Sequence, residues 1–283
     1  NSRLLKDPVI KIFFEHAEQI RDSLPVLYRK LAHKQEQLQP ETPRLEIQSF
    51  GDVQVRHNQR VVGLSDWQTR EARDLFLFLL HSAALTKEQI ALEFWPDISP
   101  ARLKMRFKIN IYRIRQAIGQ DAIVFKDDRY RFNRAINYNW DREKLDELVK
   151  SLKQVKRSGK IKLLEQAIGM LKGPYLADLD AEWAVHERLK YQEIHQNLML
   201  ELAGTYLQDG NVQACLSLAR LVLRSDPLLE AAHRLIIQAY ATIHDPAGMT
   251  LQYRQYQQIL EVELGLKPSA EMNALYEKLL DAI

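Results

Sequence analysis

The twenty residues from Ser99 to Ile118, SPARLKMRFKINIYRIRQAI, carry six basic side chains and no acidic one: Arg102, Lys104, Arg106, Lys108, Arg113 and Arg115. Cations at this density either bind a polyanion or form a solvated face, and the apolar residues between them decide which faces are free. Leu103, Phe107, Ile111, Ile114 and Ile118 recur at helical spacing, which makes one apolar stripe of an amphipathic helix. Ser99 is placed to cap that helix, Pro100 suits its first turn, and Gly119 is placed to end it. With the stripe inward, Arg102, Met105, Arg106, Ile109, Tyr112, Arg113 and Gln116 face outward, Lys104, Lys108 and Arg115 lie on one flank, and Asn110 sits at the edge of the other. Arg106, Asn110, Arg113 and Gln116 have the donor and acceptor geometry that reads base edges in a major groove. Arg102, Lys104, Lys108 and Arg115 suit phosphates, which supply affinity and register without a sequence code. Ile109 and Tyr112 either meet thymine methyls or pack on a neighbouring helical domain, and Arg115 has the alternative of pairing with an acid inside the fold.

Other chemistries find little support. The chain has no His-Glu-x-x-His, no glycine-rich phosphate loop, no clustered Cys and His, and no Gly-x-Ser-x-Gly. His186 and His195 fall on one expected helix but out of line with each other. The expectation is a protein that is not an enzyme and uses no metal and no cofactor. The single cysteine, Cys215, excludes an internal disulfide framework and fits a reducing cytoplasm. Polar residues interrupt every apolar run before the roughly 18 residues that a membrane span needs, so no membrane partner is expected.

The elements that must position the basic helix follow from the chain around it. The net charge of +3 hides an asymmetry: residues 44–136 hold 16 Lys and Arg against 11 Asp and Glu, whereas residues 137–283 hold 17 against 20. Only the middle of the chain therefore points to a polyanion. Residues 8–38 read as helices interrupted at Pro25, and 39–43 as a linker, giving an N-terminal extension over 1–43. Residues 45–64 alternate with period two around Gly51-Asp52 and His57-Asn58-Gln59, which predicts two to four short antiparallel strands. Ser65 to Gln68 reads as a capping box ahead of a helix burying Ala72, Leu75, Phe76, Leu79 and Leu80. Thr86 to Gln89 reads as a second capping box, opening a short helix that Pro96 ends. The basic helix is third. After it, Ala122–Phe125 and Tyr130–Phe132 flank Lys126-Asp127-Asp128-Arg129, a strand–turn–strand with Arg129 and Arg131 in or beside the turn. Strands, three helices and a hairpin make an α+β winged helix-turn-helix over 44–136, with the third helix in the major groove and the two wing arginines on the backbone or adjacent groove.

From Tyr138 onward only helices are expected, at 141–156, 160–171, 181–208, 211–224, 228–243, 247–263 and 269–282. Tyr206 and Tyr240, Ala219 and Tyr253, and Val222 and Tyr256 are each 34 residues apart. Paired helices at that period suggest an all-α tetratricopeptide-like domain over 137–283.

At this point the sequence resembles a known family, the bacterial regulators typified by the Streptomyces antibiotic regulatory proteins. These join an OmpR-like winged helix to a bacterial transcriptional activation domain of tetratricopeptide-like helices. The likeness lies in Leu45–Val55 (LEIQSFGDVQV), Glu71–Leu80 (EARDLFLFLL), Phe94–Asp97 (FWPD) and Ile111–Gly119 (IYRIRQAIG). In the second half it lies in Gly173–Asp178 (GPYLAD), Trp183–Leu189 (WAVHERL), Asp226–Arg234 (DPLLEAAHR) and the pair Gln252 and Tyr253. The resemblance implies sequence-specific binding of double-stranded DNA, commonly by two subunits on direct repeats, and contact with RNA polymerase. It also implies that a sensory domain lies upstream, which the absence of an initiator Met and the extra helices before residue 44 fit. The alternative is a protein-interaction scaffold in which the winged helix has become a docking module, since Met105, Ile109 and Tyr112 make its outer face more apolar than a groove reader needs.

Overall fold

The structure, a computed structural model, describes residues 43–155 and 157–282. The expected helices at 8–38 lie outside the described residues. A small β-containing region comes first and a helical domain follows, and the chain separates into two compact units. Among the described residues the first comprises 43–46 with Arg56–Asn139, and the second Ile47–Val55 with 140–282.

Strands β1 (Leu45–Gln48), β2 (Gln54–His57) and β3 (Arg60–Val61) form where period-two alternation predicts them, and β2 and β3 pair antiparallel with His57 opposite Arg60. The two-residue turn between them places Asn58 at φ 50° and Gln59 at φ 68°, the left-handed pair that matches strand twist in a tight hairpin. A fourth strand, β6 (Tyr138–Trp140), completes the sheet order β3-β2-β1-β6. The sequence pattern of helices alone from Tyr138 onward missed this three-residue strand.

The three helices ahead of the hairpin are α2 (Arg70–His81), α3 (Lys87–Phe94) and α4 (Pro100–Ile118), preceded by a single turn, α1 (Leu64–Trp67). The expected capping box at Ser65 does not form. Gln68 adopts φ 61° and ends α1, and the Thr69 hydroxyl then caps α2 by accepting from the Ala72 N–H at 3.2 Å. Asp66 instead closes back on the Gly63 N–H at 2.9 Å. The box at Thr86 forms as expected: its hydroxyl accepts from the Gln89 backbone N–H at 3.2 Å, and the Gln89 side-chain Oε1 accepts from the Thr86 N–H at 2.9 Å. All five stripe residues of α4 are buried, as are Trp67, Phe76, Leu79 and Ile90 in the same unit. The hairpin is β4 (Ile123–Lys126) and β5 (Arg129–Phe132), with Lys126 opposite Arg129. Its turn is only Asp127-Asp128, at φ 53° and 57°, so the strands reach further into the expected turn than the sequence suggested. Leu85 exchanges backbone hydrogen bonds with Tyr130 at 3.0 and 2.7 Å and ties the α2–α3 connection to the hairpin.

Seven helices make up the second unit: α5 (Asp141–Leu152), α6 (Arg157–Met170), α7 (Glu182–Gln208), α8 (Val212–Ser225), α9 (Glu230–Thr242), α10 (Pro246–Leu264) and α11 (Ala270–Asp281). Gly159, which lies in the gap expected between helices 141–156 and 160–171, sits inside the first turn of α6. Side chains of Asn211, Asp245 and Ser269 cap α8, α10 and α11. Each helix but the last packs mainly on its sequence neighbours, α11 packs mainly on α9, and α9 serves two cores. Ile236 and Ala239 join Ala203, Leu216 and Ala219 on one side, while Ile237 joins Met249, Tyr256 and Met272 on the other. The β1–β2 loop is built into this unit. The Asp141 carboxylate accepts from the N–H groups of Ser49 (2.7 Å) and Phe50 (3.1 Å), and Phe50 packs edge-on to Tyr191 at 5.0 Å.

Candidate nucleic-acid interface

Helix α4 is held at both ends. Pro100 occupies its first position, where a missing N–H costs nothing. Ser99 stands at the N-cap but its hydroxyl makes no capping bond, so the cap expected there is backbone only, through Ser99 O to Leu103 N at 2.9 Å. At the other end Gly119 turns the chain at φ 110°, a region that L side chains rarely adopt. The space beside it is filled by Arg44, whose guanidinium donates to both Asp121 oxygens at 2.7 Å and straps the start of β1 to the exit of α4. Nothing in the sequence marked Arg44, the first residue after the apparent linker, for this role.

The outward face is only partly as its spacing suggests. Arg102, Lys104 and Lys108 are exposed and form no ion pair with any described residue. Gln116 is exposed as well, as is Arg131 on β5. Arg113 is half-buried, and its Nε donates to the Gln68 Oε1 at 3.3 Å. Arg129 is exposed but donates to the Ala84 carbonyl at 3.1 Å, which ties the turn end of the hairpin to the α2–α3 connection. Arg115 departs from its expected role. It is half-buried, and its Nη2 donates to the Ile123 carbonyl at 2.9 Å, so it anchors β4 and pairs with no acid among the described residues. Asn110 departs furthest. It is 0% exposed and its amide donates to Glu71 and to the Arg106 carbonyl, so it cannot offer that amide to a base edge. The reason is one of arc: position 110 lies beside Ile111 and Phe107 and falls inside the seam with α2.

Glu71, at the start of α2, was not singled out by sequence as a site residue. Its carboxylate accepts two bonds from the Arg106 Nε at 3.1 Å, one from the Arg106 Nη2, and one from Asn110. Burial pushes the Glu71 carboxyl up, but the bonds from Arg106 and Asn110 and the Arg106 charge outweigh it and hold the group below its ordinary value. The guanidinium of Arg106 also lies 5.5 Å from the centre of the Trp95 ring. Between these groups runs an open groove of about 590 Å³, lined by Thr69, Glu71, Arg102, Met105, Arg106 and Ile109 among others. Its lining is partly greasy: Met105 is 68% and Ile109 41% exposed, and Tyr112, elsewhere on α4, is 58% exposed. A rigid helix with cations outward, one arginine held in a fixed fork and apolar side chains between them can engage phosphates, base edges and thymine methyls together.

Residues 141–280 match the family model of the bacterial transcriptional activator domain. The regulatory protein AfsR of Streptomyces griseus is 22% identical over 209 residues, which is 73% of this chain and 22% of that protein. The chain thus spans about a fifth of that relative. Among solved structures, Mycobacterium tuberculosis EmbR in complex with a low-affinity phosphopeptide superposes with a TM-score of 0.70 at 17% identity, over 85% of this chain and 66% of that one. At that identity the likeness shows the fold, a small β region followed by a helical domain. No helix among the described residues is long and apolar enough to cross a membrane. Residues 141–280 are a bacterial transcriptional activator domain, and the chain that carries them is similar to regulators of which AfsR is one.

Proposed function

We propose that the protein is a sequence-specific DNA-binding transcriptional activator that works by binding and not by catalysis. In this reading α2 to α4 with the β4–β5 hairpin are a winged helix-turn-helix: α4 enters the major groove and the hairpin, with Arg129 and Arg131, lies along the backbone or the next groove. Arg106, Arg113 and Gln116 are the base readers, and Arg102, Lys104 and Lys108 hold phosphates. The helix pairs α7/α8 and α9/α10 are tetratricopeptide-like repeats, in which Tyr206 and Tyr240, Ala219 and Tyr253, and Val222 and Tyr256 occupy matching places. This second unit carries dimerisation on direct repeats, signal relay or contact with RNA polymerase. One observation carries the reading: α4 presents three exposed cations with no ion pair among the described residues, Arg102, Lys104 and Lys108, beside the half-exposed Arg106, with no acid anywhere along the helix. In-vitro selection of duplexes from a random library tests it. Enrichment of one motif, with affinity falling steeply as salt rises, supports it. No enrichment, and no binding of random duplex at low salt, rejects it and favours the second reading.

That second reading is a docking module for protein partners, and the exposure of Met105, Ile109 and Tyr112 supports it. Under it, binding to a partner would be insensitive to salt and would fall when Met105 and Tyr112 are changed to polar residues.

A further inference from the structure

The base reader Arg106 is not a free side chain. Its Nε–Nη2 edge is occupied by Glu71, through the two 3.1 Å bonds from Nε and the bond from Nη2. Glu71 is in turn fixed by the amide of Asn110, which is itself buried and bound to the Arg106 carbonyl at 3.1 Å. The Trp95 ring lies under the guanidinium. A guanidinium has a second donor pair, one N–H on Nη1 and the remaining N–H on Nη2, and beyond the Nη2 bond to Glu71 this end makes no bond to any described residue while the side chain is 52% exposed. This end is the part that matches guanine O6 and N7 side by side. The acid also largely neutralises the charge of Arg106, which weakens the pull on any phosphate, because an anionic neighbour offsets the field that a phosphate would meet.

We propose that Glu71 is a positioning residue for sequence recognition: it grips one edge of Arg106, turns the other end to a single guanine, and keeps the side chain from settling on phosphates. The proposal rests on the DNA-binding reading above. Pre-organisation of this kind converts a flexible cation into a reader, since the rotamer entropy is lost in the free protein and not on binding. Asn110, which fails as a reader itself, takes its place in the device as the group that locks Glu71.

The test uses the whole chain and the duplex motif that it enriches from a random library. Equilibrium binding is measured to that duplex, to every single-base-pair variant of it and to random duplex, for the wild type, Arg106→Ala, Glu71→Ala and Glu71→Gln. Arg106→Ala and Glu71→Ala should lose preference at the same G·C pair, Glu71→Ala by about tenfold or more, which is the range of one bidentate arginine–guanine pair. Random-duplex affinity of Glu71→Ala should rise several-fold, because Arg106 is freed for phosphates. Glu71→Gln should shift the same base pair by a smaller factor, since one amide oxygen cannot serve both Arg106 and Asn110. Unchanged preference at that pair in both Glu71 variants overturns the proposal. So does a loss spread evenly over all positions with random-duplex affinity falling in step, the mark of a merely destabilised domain. If Glu71→Ala does not fold, Glu71→Gln decides alone, and an unchanged preference there overturns it. A wild type that enriches no sequence overturns the DNA-binding reading and the positioning with it. A motif that needs Arg106 but not Glu71 overturns the positioning only.

Discussion

The arginines of α4 and those of the helical unit are the same side chain put to opposite uses. Arg188, on α7, donates to three backbone carbonyls, those of Tyr175 (3.0 Å), Leu176 (2.8 Å) and Leu179 (2.7 Å), and so pins the turn that leads into its own helix. Arg142, on α5, lies with its side chain 16% exposed, donates to the Tyr191 hydroxyl at 2.8 Å and sits 5.0 Å from the centre of the Trp140 ring. On α4, by contrast, Arg102, Lys104 and Lys108 are exposed with no ionic partner among the described residues. The difference teaches that cation count does not locate a polyanion site; the count of cations left without internal partners does. By that measure Arg115 belongs with Arg188 and not with its own helix neighbours.

The largest effect expected from breaking this comparison is structural. Arg188→Ala strands three carbonyls and should lower unfolding free energy by about 3 kcal/mol, since hydrogen bonds to a charged group contribute roughly 1.5–3 kcal/mol each but share one desolvation cost. Urea titration of the whole chain measures it. Binding of the native fraction to duplex should be unchanged. A variant as stable as the wild type would show that the Tyr175–Leu179 turn holds itself.

Next comes Arg106. Arg106→Ala should weaken binding to the selected duplex by about 1–3 kcal/mol and relax preference at one base pair, with a much smaller change in stability because the side chain is half in solvent. Equal losses on cognate and random duplexes would reassign Arg106 to a phosphate.

Much of this was readable from the sequence. The apolar stripe of α4, the Thr86 capping box and the seven C-terminal helices follow from periodicity and from local capping chemistry, which act within a few residues. What was not readable depends on distant partners. Asn110 and Arg115 sat on the margins of the outward arc, but α2 and β4 close over those margins, and 110 and 71 are 39 residues apart. Gln68 and Thr69 exchanged the roles expected of Ser65 because Gln68 takes φ 61°, a backbone choice that no side-chain pattern announces. Tyr138–Trp140 is too short to show a period and becomes a strand through the sheet it joins. The acid-free run of α4 also concealed that its central arginine meets an acid from another helix.

Smaller again are the effects of single flank charges. Lys104→Ala and Lys108→Ala should each weaken all duplexes about equally and lower the slope of log affinity against log salt by about one, leaving unfolding free energy within about 0.5 kcal/mol. Arg115→Ala should do the reverse, with the salt slope kept and stability reduced by about 1 kcal/mol through the lost bond to Ile123. A salt slope that drops with Arg115 would return that residue to the phosphate contacts and undo the division drawn above.

The smallest effect is that of acid on the Glu71 pair. The folded protein holds this carboxyl below its ordinary value of 4.5, through its bonds to Arg106 and Asn110 and the charge of Arg106 acting against burial. A depressed carboxyl contributes stability that is fully present above the ordinary value and is lost as pH falls through the folded one. Unfolding free energy should therefore decline on acidification below about pH 4.5, and Glu71→Gln, which has no proton to gain, should decline less steeply over the same window. Above that window the wild type should be the more stable of the two, because the amide cannot satisfy both donors. The two curves should thus approach each other as pH falls. Parallel curves would mean that the Glu71–Arg106 fork adds nothing to the fold, and its value would then lie wholly in how Arg106 is presented to DNA.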